Sequence, residues 1–268
     1  MLQFTKKEKY DFADLVNIMD ILRSEDGCPW DREQDHASIR KNLIEETYEV
    51  CDCIDRADLP GMCEELGDLM LQVVFHSKIA SDLGEFELLD VTDGVCKKLI
   101  LRHPHIFGDV RADTSEEVLK NWDQIKRVEK NQKTYTETME QIPSCLPGLM
   151  RAEKVQRKAA KANFDFKSAD EAAAKIGEEL SELKAAEGSD RASEEFGDLL
   201  FSVVNVGRLM GLDSEEAITS ATNKFIRRFS ALEGHLLGEG RNIADIPMQE
   251  LDKIWEKIKI KEHHHEQD

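Results

Sequence analysis

Acidic residues occur in the same pattern in both halves of the sequence. A Glu-Glu-x-x-Glu segment is followed by Glu-x-x-Asp, first as Glu45, Glu46, Glu49, Glu65 and Asp68, and again as Glu178, Glu179, Glu182, Glu195 and Asp198. Carboxylates on adjacent helices can bind a hard divalent cation, and ligands that are all oxygen favour Mg²⁺ or Mn²⁺ over zinc or copper. The pattern therefore predicts a metal-dependent site.

The phase of the acids on their helices separates a metal site from a solvated acidic surface, which is what Glu-rich helices most often form. Glu46 lies three residues after Leu43 and four before Val50, within the apolar line of its predicted helix. Glu179 occupies the equivalent place in the second copy. Both side chains are therefore expected to point inward.

The segments 66–75 and 196–204, which carry the second part of each pattern, are apolar on nearly all sides of the helix. Such helices are expected to be buried. Each then bears a narrow polar stripe, formed by Glu65, Asp68 and Gln72 in the first copy and by Glu195, Asp198 and Ser202 in the second. Ionised carboxylates that face one another inside a bundle are costly or become protonated unless a cation joins them.

Basic and aromatic pairs follow the acids in both halves. They are Lys98 with Arg102 and Trp122 with Lys126 in the first half, and Lys224 with Arg228 and Trp255 with Lys259 in the second. Residues four apart share a helix face, so each Lys/Arg pair is a candidate for binding phosphate oxygens. Trp255 and Lys259 are candidates for covering a base or ribose, and core packing is the alternative role of the tryptophan.

The same order of motifs in both halves indicates a duplicated module. We predict an N-terminal module over residues 1–132, a linker over 133–147, a C-terminal module over 148–262 and a polar tail over 263–268. Helices are predicted at about 8–24, 37–57, 61–82, 90–102 and 114–132, and at about 148–162, 169–187, 190–211, 213–236 and 248–262. Loops are predicted around Pro29, at Pro60-Gly61, over 103–108 and over 238–240.

Composition favours an all-helical protein, because 15 glycines and 6 prolines are few and 40% of the residues are apolar. A net charge of −19 argues against a nucleic-acid polymer or an anionic membrane as partner. Neither a membrane-spanning run nor a signal peptide is visible, and the six cysteines form no CxxC pair, so a cytoplasmic protein with reduced thiols is expected.

A di-iron carboxylate bundle uses similar ingredients but requires Glu-x-x-His on two core helices. In this sequence that motif occurs only at Glu33–His36, in a predicted loop, and at Glu262–His265, at the start of the tail. A di-iron site is therefore disfavoured.

Taken together, the motifs resemble the MazG family of nucleoside triphosphate pyrophosphohydrolases. The resemblance rests on both carboxylate patterns, on Gly27-Cys28-Pro29-Trp30-Asp31, on the segment 102–109 (Arg-His-Pro-His-Ile-Phe-Gly-Asp), and on Ile142-Pro143 and Leu146-Pro147. It implies an all-α fold with a four-helix core in each module, completed by homodimerisation. It also implies Mg²⁺-dependent hydrolysis of nucleoside triphosphates to monophosphate and pyrophosphate.

Residue roles follow from the resemblance position by position. It implies that Glu179, Glu182, Glu195 and Asp198 bind metal, and that the nucleotide contacts are Lys175, Glu178, Lys224, Arg228, Trp255 and Lys259. From the chemistry of such a site, we expect a metal-bound or carboxylate-oriented water to attack the α-phosphorus, and Lys224 and Arg228 to neutralise the departing phosphates. Glu178, which points away from the metal line, is expected to orient water or to support a neighbouring site.

The first module matches the family at Glu46, Glu49, Glu65 and Asp68, and its acids are therefore also candidate metal ligands. Asn42 replaces Lys175 there, so catalysis is expected in the second module.

Two alternatives stay open at this stage. One is an all-α pyrophosphohydrolase of narrow specificity, such as a dimeric dUTPase or a phosphoribosyl-ATP pyrophosphohydrolase. The other is a helical regulatory protein that binds metal or nucleotide without turning it over. The sequence does not decide the preferred base.

Overall fold

The computed structural model describes residues 4–111 and 134–265 and, between these ranges, residues 114, 117, 118, 121, 122, 125 and 129. The chain forms two compact units, residues 1–129 and 130–268. The ordered elements of the described residues are all helical, which confirms the predicted all-α class. None of the described helices is long and apolar enough to span a membrane. The domain limits drawn from the sequence stay predictions.

The first unit contains α1 (Phe12–Arg23), α2 (Pro29–Glu33), α3 (Arg40–Asp55), α4 (Leu59–Leu83), α5 (Leu88–Arg102) and α6 (Pro104–Phe107). Four of these match predicted helices, while the predicted helix over 114–132 lies largely outside the described residues. Helices begin at or next to three predicted loops and have Pro29, Pro60 and Pro104 in their first turns. A proline fits the first helical turn because its missing N–H has no partner to lose there.

The core of the first unit forms where α1 and α3 pack against α4. It consists of the buried residues Met19, Ile39, Val74, Phe75 and Ile79. Arg23 extends this contact, since its guanidinium lies 5.5 Å from the ring centre of Phe75 and its Nε donates to Asp82 at 2.8 Å. The pairing of α3 with α4 brings the acids of the first copy together.

The second unit contains α7 (Tyr135–Glu140), α8 (Gly148–Ala160), α9 (Ala169–Ala185), α10 (Ala192–Leu209), α11 (Ser214–Gly238), a 3₁₀ turn (Ile243–Asp245) and α12 (Met248–His265). The five longer helices confirm the predicted ones, and α7 lies in the predicted linker. The helix α10 packs along α9 and against α8, while α12 packs against α11. Leu232, Leu236 and Ile254 form a buried cluster between α11 and α12.

The prediction that α4 and α10 are buried on all sides is wrong within a single chain. Both helices turn part of their polar stripe inward, including the buried Gln72 of α4 and the buried Glu195 and Ser202 of α10. Their opposite faces expose apolar side chains at equivalent positions, Leu66, Met70 and Val73 of α4 and Phe196, Leu200 and Val203 of α10, each at least 41% exposed. Hydrophobicity alone could not show that the chain leaves these faces uncovered.

Two adjacent leucines of α11 provide a test of the core. Leu236 is 0% exposed and Leu237 is 66% exposed. We expect Leu236→Ala to reduce the free energy of unfolding of the second unit by about 2–5 kcal/mol, because it removes buried methyl groups and leaves a cavity. Leu237→Ala should change it by less than about 0.5 kcal/mol. Urea denaturation followed by circular dichroism measures both, and equal losses would contradict the packing described.

Candidate metal centre

The second acidic cluster lies where α9 and α10 pair. One carboxylate oxygen from each of Glu179, Glu182 and Glu195 lies within 4.8 Å of the others. Glu179 is 6% exposed and Glu195 is 3% exposed, so the predicted inward position of Glu179 is confirmed. Glu46, its equivalent in the first module, is half-buried. Two buried carboxylates at this separation repel each other and have lost solvation, which requires compensation by positive charge.

Part of that compensation comes from the same two helices. Lys175 donates from Nζ to Glu178 at 2.8 Å and lies 2.9 Å from Glu179. These hydrogen bonds raise the pKa of Lys175 above its ordinary range, so it stays protonated at neutral pH. Arg191 forms an ion pair with Glu195. In each of these two pairs the cation stands four residues before its buried acid, a spacing at which side chains meet on one helix face.

Glu182 completes the cluster at its exposed side. Desolvation raises the pKa of its carboxyl group, and the charges of Glu179 and Glu195 add to this effect. The positive charges of Lys175 and Arg191 therefore do not fully offset the repulsion among the acids. An all-oxygen donor set with surplus negative charge fits Mg²⁺ or Mn²⁺.

Asp198 lies one helical turn after Glu195 and lines a cavity of about 580 Å³ that Glu179 also lines. The structure thus places all four predicted ligands of the second module on the paired helices, three as a cluster and Asp198 in the wall of the adjoining cavity. Their role as ligands stays a prediction.

The first module repeats the geometry with less neutralisation. Oxygens of Glu46, Glu49 and Glu65 also lie within 4.8 Å of one another. Desolvation raises the pKa of Glu46, and the nearby charge of Asp68 is the next cause. Desolvation and the charge of Glu49 likewise raise the pKa of Glu65.

The cations of the second module have no counterparts in the first. Asn42 stands at the position equivalent to Lys175, and Gly61 at the position equivalent to Arg191. The nearby Lys41 pairs with the more exposed Glu45 at 2.9 Å. Among the described residues, Glu46 and Glu65 therefore have no ion-pair partner.

The predicted nucleotide contacts on α11 and α12 form a separate group. Arg228 donates to Glu262 at 2.5 Å, and Lys259 donates to Glu256 at 2.8 Å. Trp255 packs against the cluster between α11 and α12, with its ring 5.3 Å from that of Phe225, which is the core-packing role. The described contacts of these residues do not join them to the carboxylates. Lys224, also on α11, is exposed.

In the first module the equivalent pairs are only partly described. Arg102 forms an ion pair with Glu129 at 2.8 Å, and Trp122 packs edge-on against His103 with ring centres 4.9 Å apart. Lys126 lies outside the described residues.

Sequence reasoning missed the residues that shape the cavity beside Asp198, among them Gln156, Phe164, Phe166, Asn205 and Arg208. They come from α8, from the connection to α9 and from the end of α10, so no fixed spacing links them. The Phe-Asp-Phe triplet before α9 was the available signal. Arg191 was missed too, although it stands four residues before Glu195.

Both acidic clusters lie within segments that match one protein family. The MazG nucleotide pyrophosphohydrolase domain matches residues 34–107 and 167–231. The nucleoside triphosphate pyrophosphohydrolase/pyrophosphatase MazG of Thermotoga maritima is 44% identical over 248 residues, 92% of this chain and 95% of that protein. The nucleoside triphosphate pyrophosphohydrolase of Escherichia coli K12 is 39% identical over 254 residues, 92% of this chain and 97% of that protein.

The unneutralised acids of the first module predict a pH-dependent effect. Because the folded state raises the pKa of Glu46 above its ordinary value of 4.5, charging this group opposes folding as the pH rises through that range. In metal-free protein at pH 8, Glu46→Gln should therefore shift the urea midpoint upward. The gain should vanish below pH 4.5, where the wild-type group is also neutral.

The exposed neighbour Glu45, which pairs with Lys41, provides the control. Glu45→Gln should produce no gain. Saturating Mg²⁺ should stabilise the wild type more than Glu46→Gln, because the variant has lost a ligand charge. Equal urea midpoints for wild type and Glu46→Gln at pH 8 in a chelator would contradict the described geometry.

Proposed function

The chain belongs to the family of MazG nucleotide pyrophosphohydrolase domains, and we propose that it hydrolyses nucleoside triphosphates to nucleoside monophosphate and pyrophosphate. The observation that carries the proposal is the joining of an acidic cluster to a cavity in the second unit, with Glu179 belonging to both. The names of the Thermotoga maritima and Escherichia coli relatives state the same activity. Control of the nucleotide pool is the cellular role that fits it.

In this proposal Glu179, Glu182, Glu195 and Asp198 hold Mg²⁺, or Mn²⁺ in its place. The metal, when bound, neutralises triphosphate charge and polarises the α-phosphorus. Water attacks that phosphorus, the bond to the oxygen that bridges the α- and β-phosphorus atoms breaks, and pyrophosphate leaves with that oxygen.

Glu178 is the proposed water-orienting residue. Its carboxylate is exposed beside the cluster and is held by Lys175. This position gives it access to solvent water while Glu179 next to it points inward. Lys175 thus holds both neighbouring acids, the exposed Glu178 and the buried Glu179.

Lys224 and Arg228 are proposed to neutralise the departing phosphates, and Trp255 and Lys259 to contact the nucleotide. The exposed position of Lys224 supports its part of this proposal. Arg228 would have to share its guanidinium between Glu262 and phosphate. Trp255 is the weakest member, because its packing against Phe225 already accounts for it.

We place turnover in the second module. Lys175 and Arg191 hold Glu179 and Glu195 there, so two acids are oriented before metal or substrate arrives. Asn42 and Gly61 provide no such support in the first module.

Matched double variants test this assignment. Glu179→Gln with Asp198→Asn should reduce pyrophosphate release in Mg²⁺ by at least about 100-fold, since both ligand charges are lost without loss of side-chain volume. The equivalent pair Glu46→Gln with Asp68→Asn should retain activity within a few-fold of wild type. Circular dichroism checks that both variants fold.

A panel of NTPs and dNTPs separates the alternatives. Hydrolysis of nucleotides that carry one particular base would favour the narrow-specificity enzyme. Binding of nucleotides without pyrophosphate release would favour the regulatory protein. A folded Glu179/Asp198 double variant with wild-type activity would rule out the second-module site.

We also propose that a second copy of the chain covers the apolar faces of α4 and α10. Phe196, Leu200 and Val203 recur at the spacing of one helix face, and the equivalent face of α4 is exposed as well. Exposed contiguous apolar side chains of this kind mark interaction surfaces. Cysteines that are all free support a cytoplasmic location for the dimer.

Light scattering after size-exclusion chromatography tests the dimer. Leu200→Glu should convert it to monomer, because the charge would be buried in the interface without a partner. Leu237→Glu, on a residue that is also exposed, should leave the mass unchanged. A monomeric wild type at micromolar concentration would contradict the proposal.

A further inference from the structure

The cavity beside the acidic cluster is lined by charged and by aromatic side chains. Glu179 and Asp198 are shared with the predicted ligand set, Lys175, Asp165 and Arg208 add further charges, and Phe164, Phe166 and Phe201 contribute aromatic rings. Phe164 is 83% exposed, so its ring face is available to a planar ligand. A volume of about 580 Å³ is sufficient for a nucleoside.

Gln156 of α8 lines this cavity and has a buried side-chain oxygen without a hydrogen-bond partner. Its side chain lines the cavity and the residue is only 5% exposed. Its Nε2 donates to the carbonyl oxygen of Phe201 at 2.8 Å, which fixes the orientation of the amide. Its Oε1 has no hydrogen-bond partner. A buried amide oxygen without a donor is unusual, and a ligand N–H would satisfy it.

The far side of the cavity is held in place by Arg208. Its guanidinium contacts Asp165 through two hydrogen bonds, at 2.5 and 3.1 Å, and also donates to Asn205 at 2.6 Å. Asp165 lies between Phe164 and Phe166, so this ion pair attaches the aromatic segment to α10. The cavity is therefore shaped before a ligand enters.

Resting on the proposed function, we propose that this cavity binds the nucleobase of the substrate and that Gln156 is a specificity-determining residue. Its Oε1 accepts the N–H that every natural base carries on its Watson–Crick edge: N6–H of adenine, N4–H of cytosine, N1–H of guanine and N3–H of uracil or thymine. The aromatic rings stack on the base without regard to its identity. The site is thus tolerant of all natural bases and selective against bases without that donor.

The position of the cavity supports this orientation of the substrate. Because Glu179 and Asp198 belong both to the predicted ligands and to the cavity wall, a nucleotide with its base in the cavity has its phosphates directed toward the acids. A single fixed acceptor would also make the site selective. A site built to hydrogen-bond a substrate N–H rejects analogues that lack this N–H.

Two matched substrate pairs test the inference on the wild-type protein. ATP is compared with purine riboside triphosphate, which lacks the amino group, and UTP with N3-methyluridine triphosphate, which lacks the N3–H. The kcat/KM for pyrophosphate release should fall by about tenfold or more within each pair, while the four natural NTPs should agree within about tenfold. Equal values within both pairs would overturn the inference and leave the proposed function intact.

Variants then assign the effect to Gln156. Gln156→Met, of similar volume, should lower kcat/KM for ATP and UTP by about tenfold and bring both ratios close to one. Phe164→Ala, at an exposed position, should lower kcat/KM for all substrates alike and keep the ratios. Ratios that persist in a folded Gln156→Met protein would show that another group contacts the base edge.

Failure of the Gln156 inference can be distinguished from failure of the proposed function. If the wild type releases no pyrophosphate from any NTP, the activity is refuted together with this inference. If Gln156→Met does not fold, the two wild-type ratios still decide whether a base donor is required.

Discussion

The structure depends on the neutralisation of carboxylates that face one another between paired helices. In each unit the two helices that carry the acidic residues pack together, so that one carboxylate oxygen from each of three glutamates lies within 4.8 Å of the others. Repulsion and desolvation oppose that pairing, and both raise the pKa of Glu46, Glu65 and Glu182. A fold that tolerates such a cluster requires cations at the same place. A divalent cation bound at either cluster would therefore also stabilise the pairing of its two helices.

The two modules differ in how far the chain itself neutralises their acids. Lys175 and Arg191 give each buried acid of the second module a partner from its own helix. The first module keeps its acids but lacks these cations, so a bound metal would contribute proportionally more to its stability. Glu179 and Glu195 are thus neutralised by cations of the chain itself. Glu46 and Glu65 would depend on a bound cation for the same neutralisation.

The sequence predicted the local features well, because helix phase and repetition are local properties. The longer helices of the described residues and the inward position of Glu179 followed from spacing alone. Gln156, Phe164 and Arg208 could not be predicted as one site, since they meet only through the packing of α8, α10 and the intervening connection. Trp255 shows that recurrence can leave two roles open. Its recurrence with a lysine suggested a nucleotide contact or core packing, and its observed neighbours belong to the cluster between α11 and α12.

The helix α10 carries an uncovered apolar face on one side and acids of the predicted metal site on the other. Glu195 is followed directly by Phe196, and Asp198 stands two residues before Leu200. Because a helix moves as a rigid element, whatever packs on the apolar face fixes the direction in which the acids point. A partner seated on Phe196, Leu200 and Val203 would restrain the same helix that carries two predicted metal ligands. In the proposed dimer, assembly and site geometry would therefore be coupled through one helix, and a loosened interface would alter the predicted metal site without changing any of its ligands.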